Sequence, residues 1–338
     1  MLTNVSMFKT QAQSKLILAG EHSVVYGNTA ITTRLAWATY CTINQHPKGE
    51  LLLVDGQAIS WNRDSLIQHW QQLQQRHQHW QQDSRTPLLT QLSDLPLAVL
   101  ARWQQSHALP SLSLHLKSDV PIGQGLGSSA SLIIAMIHAL NQATQTQLSL
   151  TEIKAMATHC EQLAHGKSSG LDVAAILLAD RLRWKQGQFT ALAIDTALPG
   201  YLVDTGNAQS STADCVGWVR KHHASRQDLW SSMEVATEQI AQSLNSAHES
   251  TDLAEAVTHL HGCLTQLGVV PPKVQQFAQA AQALGWAGKL CGAGSISGDG
   301  GGFFWLLSHQ DPRELCAEYG YPYWPLTSLT APSKGDNP

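Results

Sequence analysis

Three glycines in five residues, Gly123, Gly125 and Gly127, stand directly ahead of Ser128-Ser129 and a nearly unbroken apolar run from Ala130 to Leu140. Glycine lets the backbone close on a ligand, and the first turn of a following helix offers free N–H groups and a positive dipole end to an anion. The extended run Ser111 to Lys117 precedes the turn, so strand, glycine turn and helix follow one another as a phosphate cradle requires. The stretch lacks the Gly-Lys-Ser/Thr ending of the P-loop, and its glycines do not follow the dinucleotide-binding pattern. Taken alone, it is either a phosphate cradle or a tight structural turn.

Two carboxylates and a cation occupy similarly suggestive places. Lys15-Leu-Ile-Leu-Ala19 reads as a buried strand that ends at Gly20 and is followed at once by Glu21 and His22. Functional groups just past a strand end are common, because loops on a rigid scaffold carry chemistry. From Ser149 a capping-box pattern, Ser149 with Glu152, opens a helix whose apolar stripe is Ile153, Met156, Ala157, Cys160, Leu163 and Ala164 and which Gly166 closes. Glu161 borders that buried stripe. Ser128 and Ser129 are expected to act as N-caps of the apolar helix after them, which should be buried.

The elements that hold these residues belong to a chain of 338 residues, long enough for two domains. It is 43% hydrophobic and 14% charged, and no apolar run approaches the roughly 18 residues that span a bilayer. Asn4, Lys9, Gln11 and Gln13 interrupt the first fifteen residues, so no signal segment is expected there and the reading is cytoplasmic, without a membrane role. A formal charge of −4 without clustered Lys and Arg excludes nucleic acid as the expected partner. The six cysteines show no Cys-x-x-Cys spacing and read as reduced, mostly buried thiols. The pairs His77/His79 and His222/His223 lack Cys or carboxylate partners at ligand spacing and read as solvated side chains, not metal ligands. Asp64 to Asp83 carries Leu66, Ile67, Trp70, Leu73 and Trp80 at helical spacing and is expected to be an amphipathic surface helix.

Four segments carry a resemblance. Pro121-Ile-Gly-Gln-Gly-Leu-Gly-Ser-Ser-Ala130 resembles the ATP-binding motif of the GHMP kinases at ten consecutive positions. Lys15-Leu-Ile-Leu-Ala-Gly-Glu-His-Ser-Val-Val-Tyr-Gly27 is similar to the N-terminal motif of the mevalonate kinase branch; phosphomevalonate kinases usually have Tyr in place of His22. Glu161-Gln-Leu-Ala-His-Gly-Lys-Ser-Ser-Gly-Leu-Asp172 keeps the branch's Glu and Asp eleven residues apart, with Ser168 where Pro is usual. Lys289-Leu-Cys-Gly-Ala-Gly294 resembles the C-terminal glycine-rich motif, then departs into a longer loop, Ser295-Ile-Ser-Gly-Asp-Gly-Gly-Gly302, that contains Asp299. Two more departures are Ser210, near which the family has a basic residue, and Leu132, where some relatives have Tyr.

The resemblance implies an α+β, two-domain GHMP kinase fold: a ribosomal-protein-like N-terminal domain with a left-handed crossover, and a ferredoxin-like C-terminal domain, with the active site in the cleft between. The expected division is 1–198 and 199–330, near Pro199, with a tail at 331–338. It further implies ATP and Mg²⁺ as cofactors, mevalonate as the acceptor, 5-phosphomevalonate and ADP as products, and room for a homodimer. Carried over by position, Pro121, Gly123, Gly125, Leu126, Gly127, Ser128, Ser129 and Ala130 hold ATP, while Ser129 and Glu161 hold the metal. Asp172 is the catalytic carboxylate, Lys15 the cation at the substrate hydroxyl, and Glu21, His22, Thr212 and Gly294 are associated with the acceptor. Singly, each has a plain alternative: Glu161 a half-exposed helix acid, Lys15 a strand-edge lysine, Asp172 a helix cap, His22 a turn residue. Their joint presence favours a kinase. A sister kinase acting on phosphomevalonate or another small hydroxy compound is the alternative, and an inactive ligand sensor the third reading.

Overall fold

The computed structural model describes residues 7–46, 48–53, 56–82, 88–166, 168–192, 198–245 and 251–330. The tail at 331–338 and Asp83 lie outside the described residues. The chain opens with β1 (Phe8–Ala19), a short 3₁₀ turn (Ser23–Tyr26), β2 (Ala30–Gln45), β3 (Gly49–Leu52) and β4 (Ala58–Trp61). Then come α1 (Arg63–Gln82), α2 (Asp94–Gln104), β5 (Leu112–Ser118), α3 (Ser128–Thr144), α4 (Leu150–His165) and α5 (Leu171–Leu177). A hairpin of β6 (Arg181–Lys185) and β7 (Gln188–Ala191) follows, then β8 (Tyr201–Asp204), α6 (Thr212–His223), α7 (Gln227–Asn245), α8 (Thr251–Gln266) and α9 (Pro272–Ala283). The last elements are β9 (Ala287–Leu290), β10 (Phe303–Leu307), α10 (Arg313–Tyr319), β11 (Tyr323–Pro325) and α11 (Leu326–Leu329).

The chain forms two compact units, each α+β. The first takes Met1–Ser14, Trp37–Val120 and Gly127–Leu177. Here β5 runs antiparallel to Thr39–Gln45 of β2 and parallel to β3, which pairs antiparallel with β4. Along β5, Leu112, Leu114 and Leu116 are buried while His115 and Lys117 are exposed, a period-two alternation that Ser113, buried on the second face, interrupts at the start of the strand. The core joins residues of α2, α3 and α4, such as Val99, Ile133, Ile137, Ile153 and Cys160. As expected, α3 is buried along most of its length, and α4 begins with a formed capping box between Ser149 and Glu152 and ends at Gly166. The surface helix α1 buries Leu66, Trp70 and Leu73 but leaves Ile67 exposed.

The second unit takes Lys15–Ala36, Pro121–Leu126 and Leu178–Pro338. Ala30–Thr33 of β2 pairs antiparallel with β6, which turns into β7 through Gln186 and Gly187, both at positive φ as a two-residue hairpin demands. The C-terminal sheet has the order β11-β8-β10-β9, antiparallel throughout. Phe277 of α9 meets Phe304 of β10 edge to face in its core. All six cysteines of the chain are buried.

Candidate active site

In the first unit the helix after the glycine turn starts differently from expectation. Gly127, at φ 71 and ψ 35, takes the N-cap position of α3, and Ser128 and Ser129 are already helical, with no side-chain cap among the described residues. The serines are therefore not caps. A left-handed backbone is needed at the capping position, and glycine adopts it without a Cβ clash. The consequence is chemical: the N–H groups of the first turn are left for a ligand instead of being taken by a serine hydroxyl. Ser131 anchors the start of α3, donating its hydroxyl to the Ala12 carbonyl at 2.6 Å.

Glu161 is only 2% exposed, more deeply placed than a residue bordering the stripe. Its Oε2 lies 3.6 Å from Nε2 of His165, one turn further along α4, and the same ring nitrogen is 3.0 Å from Ser129 Oγ. The two expected metal ligands thus converge on one imidazole. His165 itself escaped the sequence reading, although it lies within the matched segment at i+4 from Glu161, a spacing that puts both on one helix face. A serine hydroxyl beside a carboxylate is a hard oxygen donor set, and Mg²⁺ is held by one or two such protein oxygens together with substrate phosphates. The residues present fit that ion.

Asp172 lies in the first turn of α5, half-buried between the buried Leu171 and Val173. The turn before it is shaped by hydroxyls: Ser168 Oγ accepts the Gly170 N–H at 3.1 Å and Ser169 Oγ accepts the Leu171 N–H at 3.2 Å. Ser168 thereby supplies by hydrogen bonding part of the local rigidity that the family's proline supplies by its ring.

In the second unit Lys15 is buried on β1. Its Nζ donates to the Gly125 carbonyl at 3.1 Å, and its N–H donates to the Leu126 carbonyl at 3.0 Å, so this lysine grips the glycine loop twice. Gly123 and Gly125 stand at φ 78, exposed, with their backbone accessible. Gln124 bonds Asn207 at 2.7 Å, which ties the loop to the segment after β8.

Glu21 and His22 turn inward. The Glu21 carboxylate meets Lys289 Nζ at 2.5 Å, and the two side chains are 1% and 0% exposed. His22 has φ 58, and its Nε2 lies 2.9 Å from the Ala293 carbonyl. A carbonyl only accepts, so Nε2 carries the proton. Burial pushes the His22 imidazole below its ordinary range, against the opposing pull of the Ala293 bond. The 3₁₀ turn that follows is held on α7 by Tyr26 stacking on Trp230 and by Asn28 Nδ2 donating to the Trp230 carbonyl.

Thr212 is exposed at the start of α6, where Ser211 and Asp214 form a capping box. Gly294 is buried at φ 69, and a Cβ there would lie 2.1 Å from the Val269 carbonyl, a packing reason for glycine. Two departures from the family pattern meet here. Ser210 Oγ is 2.8 Å from Ser297 Oγ and accepts the Ile296 N–H at 3.2 Å, so the residue standing near the family's basic position latches the longer loop. Asp299 of that loop is exposed; its charge adds to burial in pushing the Tyr321 hydroxyl up to about 12. Within each unit the structure therefore groups Ser129 with Glu161, Lys15 with the glycine loop, and Glu21 and His22 with Lys289–Gly294.

The pattern for the GHMP kinases N terminal domain matches residues 94–180, which include the glycine turn, Glu161 and Asp172. A mevalonate kinase of Pyrococcus horikoshii is 30% identical over 322 residues, covering 90% of this chain and 89% of its own length. The chain belongs to the GHMP kinase family. Solved structures agree on the fold of this GHMP kinase. A mevalonate kinase of Methanococcus jannaschii matches with a TM-score of 0.74 at 21% identity, covering 96% of this chain and 98% of its own. A phosphomevalonate kinase of Streptococcus pneumoniae bound to phosphomevalonate and AMPPNP matches with a TM-score of 0.68 at 18% identity, over 94% and 99%. One fold thus serves two acceptors, and fold similarity does not choose between them. Among the described residues no helix is long and apolar enough to cross a membrane.

Proposed function

We propose that this GHMP kinase transfers the γ-phosphoryl group of ATP to the primary hydroxyl of mevalonate, giving 5-phosphomevalonate and ADP, in the cytoplasm. The observation that carries this reading is the near full-length match to a mevalonate kinase, with Lys15, Glu161 and Asp172 all in place. Ser210, near the position where the family has a basic residue, instead bonds Ser295 and Ser297, which further supports an acceptor without a phosphate, since a phosphorylated acceptor calls for Arg or Lys forks.

Phosphoryl transfer asks the protein for positioning and charge more than for covalent chemistry. The acceptor hydroxyl oxygen forms a bond to the γ-phosphorus as the bond from that phosphorus to the departing ADP oxygen breaks. Asp172 takes the hydroxyl proton, and Lys15 offsets the negative charge on the acceptor oxygen. Lys15 also fixes the loop Gly123–Leu126, whose backbone, with the first turn of α3, receives the phosphates. Ser129 and Glu161 would hold Mg²⁺, which neutralises charge on the β- and γ-phosphates when bound. His22 and Thr212 meet the acceptor, and Glu21 supports His22.

The test is ADP release with a panel of mevalonate, phosphomevalonate, homoserine and galactose. Mevalonate is expected to give the highest kcat/KM. A higher value for phosphomevalonate would overturn the acceptor and leave the kinase assignment standing, and no turnover of any acceptor would favour the inactive sensor.

A further inference from the structure

Two costly features meet at one turn. His22 has φ 58, in the left-handed region that a non-glycine residue enters only when its surroundings hold it there. Beside it, Glu21 is buried with Oε1 on Lys289 and with Oε2 lacking a hydrogen-bond partner among the described residues. A buried ion pair is a poor stabiliser, because desolvating both ions offsets their attraction, and an apolar pair of like volume often does better. The unpartnered oxygen adds to that penalty.

Stability therefore does not account for the pair, but geometry does. Glu21 ties the turn to β9 through Lys289, and His22 ties it a second time through the Ala293 carbonyl, four residues further along the same segment. Burial alone would lower the Lys289 ammonium, yet its neighbours more than offset this and it stands raised. Cys291 Sγ lies 3.7 Å from Nζ, but burial pushes that thiol up to about 11, so the ion-pair partner of the ammonium is Glu21, at 2.5 Å. Remove either partner and the turn loses one of two clamps while a charge stays buried without its counter-ion.

We propose that Lys289 is a positioning residue for acceptor recognition: through Glu21 it holds the Gly20–His22 turn against Lys289–Gly294, and so fixes His22 for the acceptor. This rests on the assignment of His22 to the acceptor side. Lys289 need touch neither substrate.

The experiment compares Lys289→Met, the double variant Glu21→Gln with Lys289→Met, and Glu21→Asp in the full chain. It measures Tm, ATP affinity by nucleotide titration, and kcat and KM for mevalonate. Lys289→Met alone should lower Tm by roughly 5–10 °C, because it strands a buried carboxylate. The double variant should recover most of that Tm and keep ATP affinity within about twofold, yet show a KM for mevalonate raised about tenfold or more, with kcat changed less. A double variant with wild-type Tm and wild-type mevalonate KM would overturn the proposal, since the pair would then be structural alone. If the double variant does not fold, Glu21→Asp decides, because it keeps the charge and withdraws the carboxylate by one methylene. A raised mevalonate KM with intact ATP affinity supports the proposal, and an unchanged KM overturns it. Failure of the wild-type enzyme to use mevalonate would instead refute the proposed acceptor, and the same comparison would be made with the acceptor that the panel identifies.

Discussion

Acidification should loosen the C-terminal sheet through one side chain, His261 of α8. The imidazole is 6% exposed, lies edge to face on Phe304 and accepts the Leu290 N–H at Nδ1. Burial, with a smaller contribution from the Lys289 charge, pushes it down to about 4 from an ordinary value of 6.5. In the unfolded chain the ring takes up a proton near pH 6.5, whereas in the folded chain it does so only near 4. Between those values the unfolded state binds more protons, so stability falls as pH falls; above 6.5 this residue changes nothing. Integrating over the window gives a loss of about 2 kcal/mol between pH 7 and pH 5, approaching about 3 kcal/mol below pH 4. The assay is urea unfolding at pH 7 and pH 5 for the wild type and for His261→Gln, which retains an acceptor but does not titrate. Other histidines, the buried His22 and the half-buried His138 among them, contribute in the same direction to both proteins, so the difference between the two losses isolates His261. The wild type should lose about 2 kcal/mol more than the variant. Equal losses would refute the reasoning and return His261 to a group that finds solvent when protonated.

Asp172→Asn should keep its fold and ATP affinity while kcat falls roughly a hundredfold to ten-thousandfold, and Lys15→Met should behave similarly with some loss of acceptor binding; a fully active Asp172→Asn protein would make Asp172 only part of a helix end. Glu161→Gln should raise the Mg²⁺ concentration needed for ATP turnover and weaken Mn²⁺ binding followed by electron paramagnetic resonance, and unchanged titrations would remove Glu161 from the metal site. Gly294→Ala, with its Cβ 2.1 Å from the Val269 carbonyl and φ 69, should lower stability by more than about 1 kcal/mol in thermal or urea unfolding, and a wild-type midpoint would show that the loop yields there.

What could be read without coordinates was whatever the chain encodes over a few residues. The period of α4, its capping box at Ser149 and Glu152, the buried α3 and the glycine turn ahead of it at Gly123, Gly125 and Gly127 all follow from neighbours within a turn or two. The spaced motifs placed the chain among the kinases for the same reason: each is a local backbone shape with one or two reactive side chains. Even locally one choice went the other way, because the N-cap of α3 is left-handed and falls on Gly127, which places the expected serine caps inside the helix and leaves the first-turn N–H groups without a side-chain cap. The contacts that join distant segments were decided only by tertiary packing. Nothing in the sequence around Glu21 announces that its partner is Lys289, 268 positions away, or that Ser210 latches Ser297. The buried Asp94, held below the usual carboxylate range by the Thr90 and Arg76 bonds that outweigh its burial, likewise went unread. Side-chain chemistry is written residue by residue, but which charges are taken out of water, and against what, depends on how the elements pack.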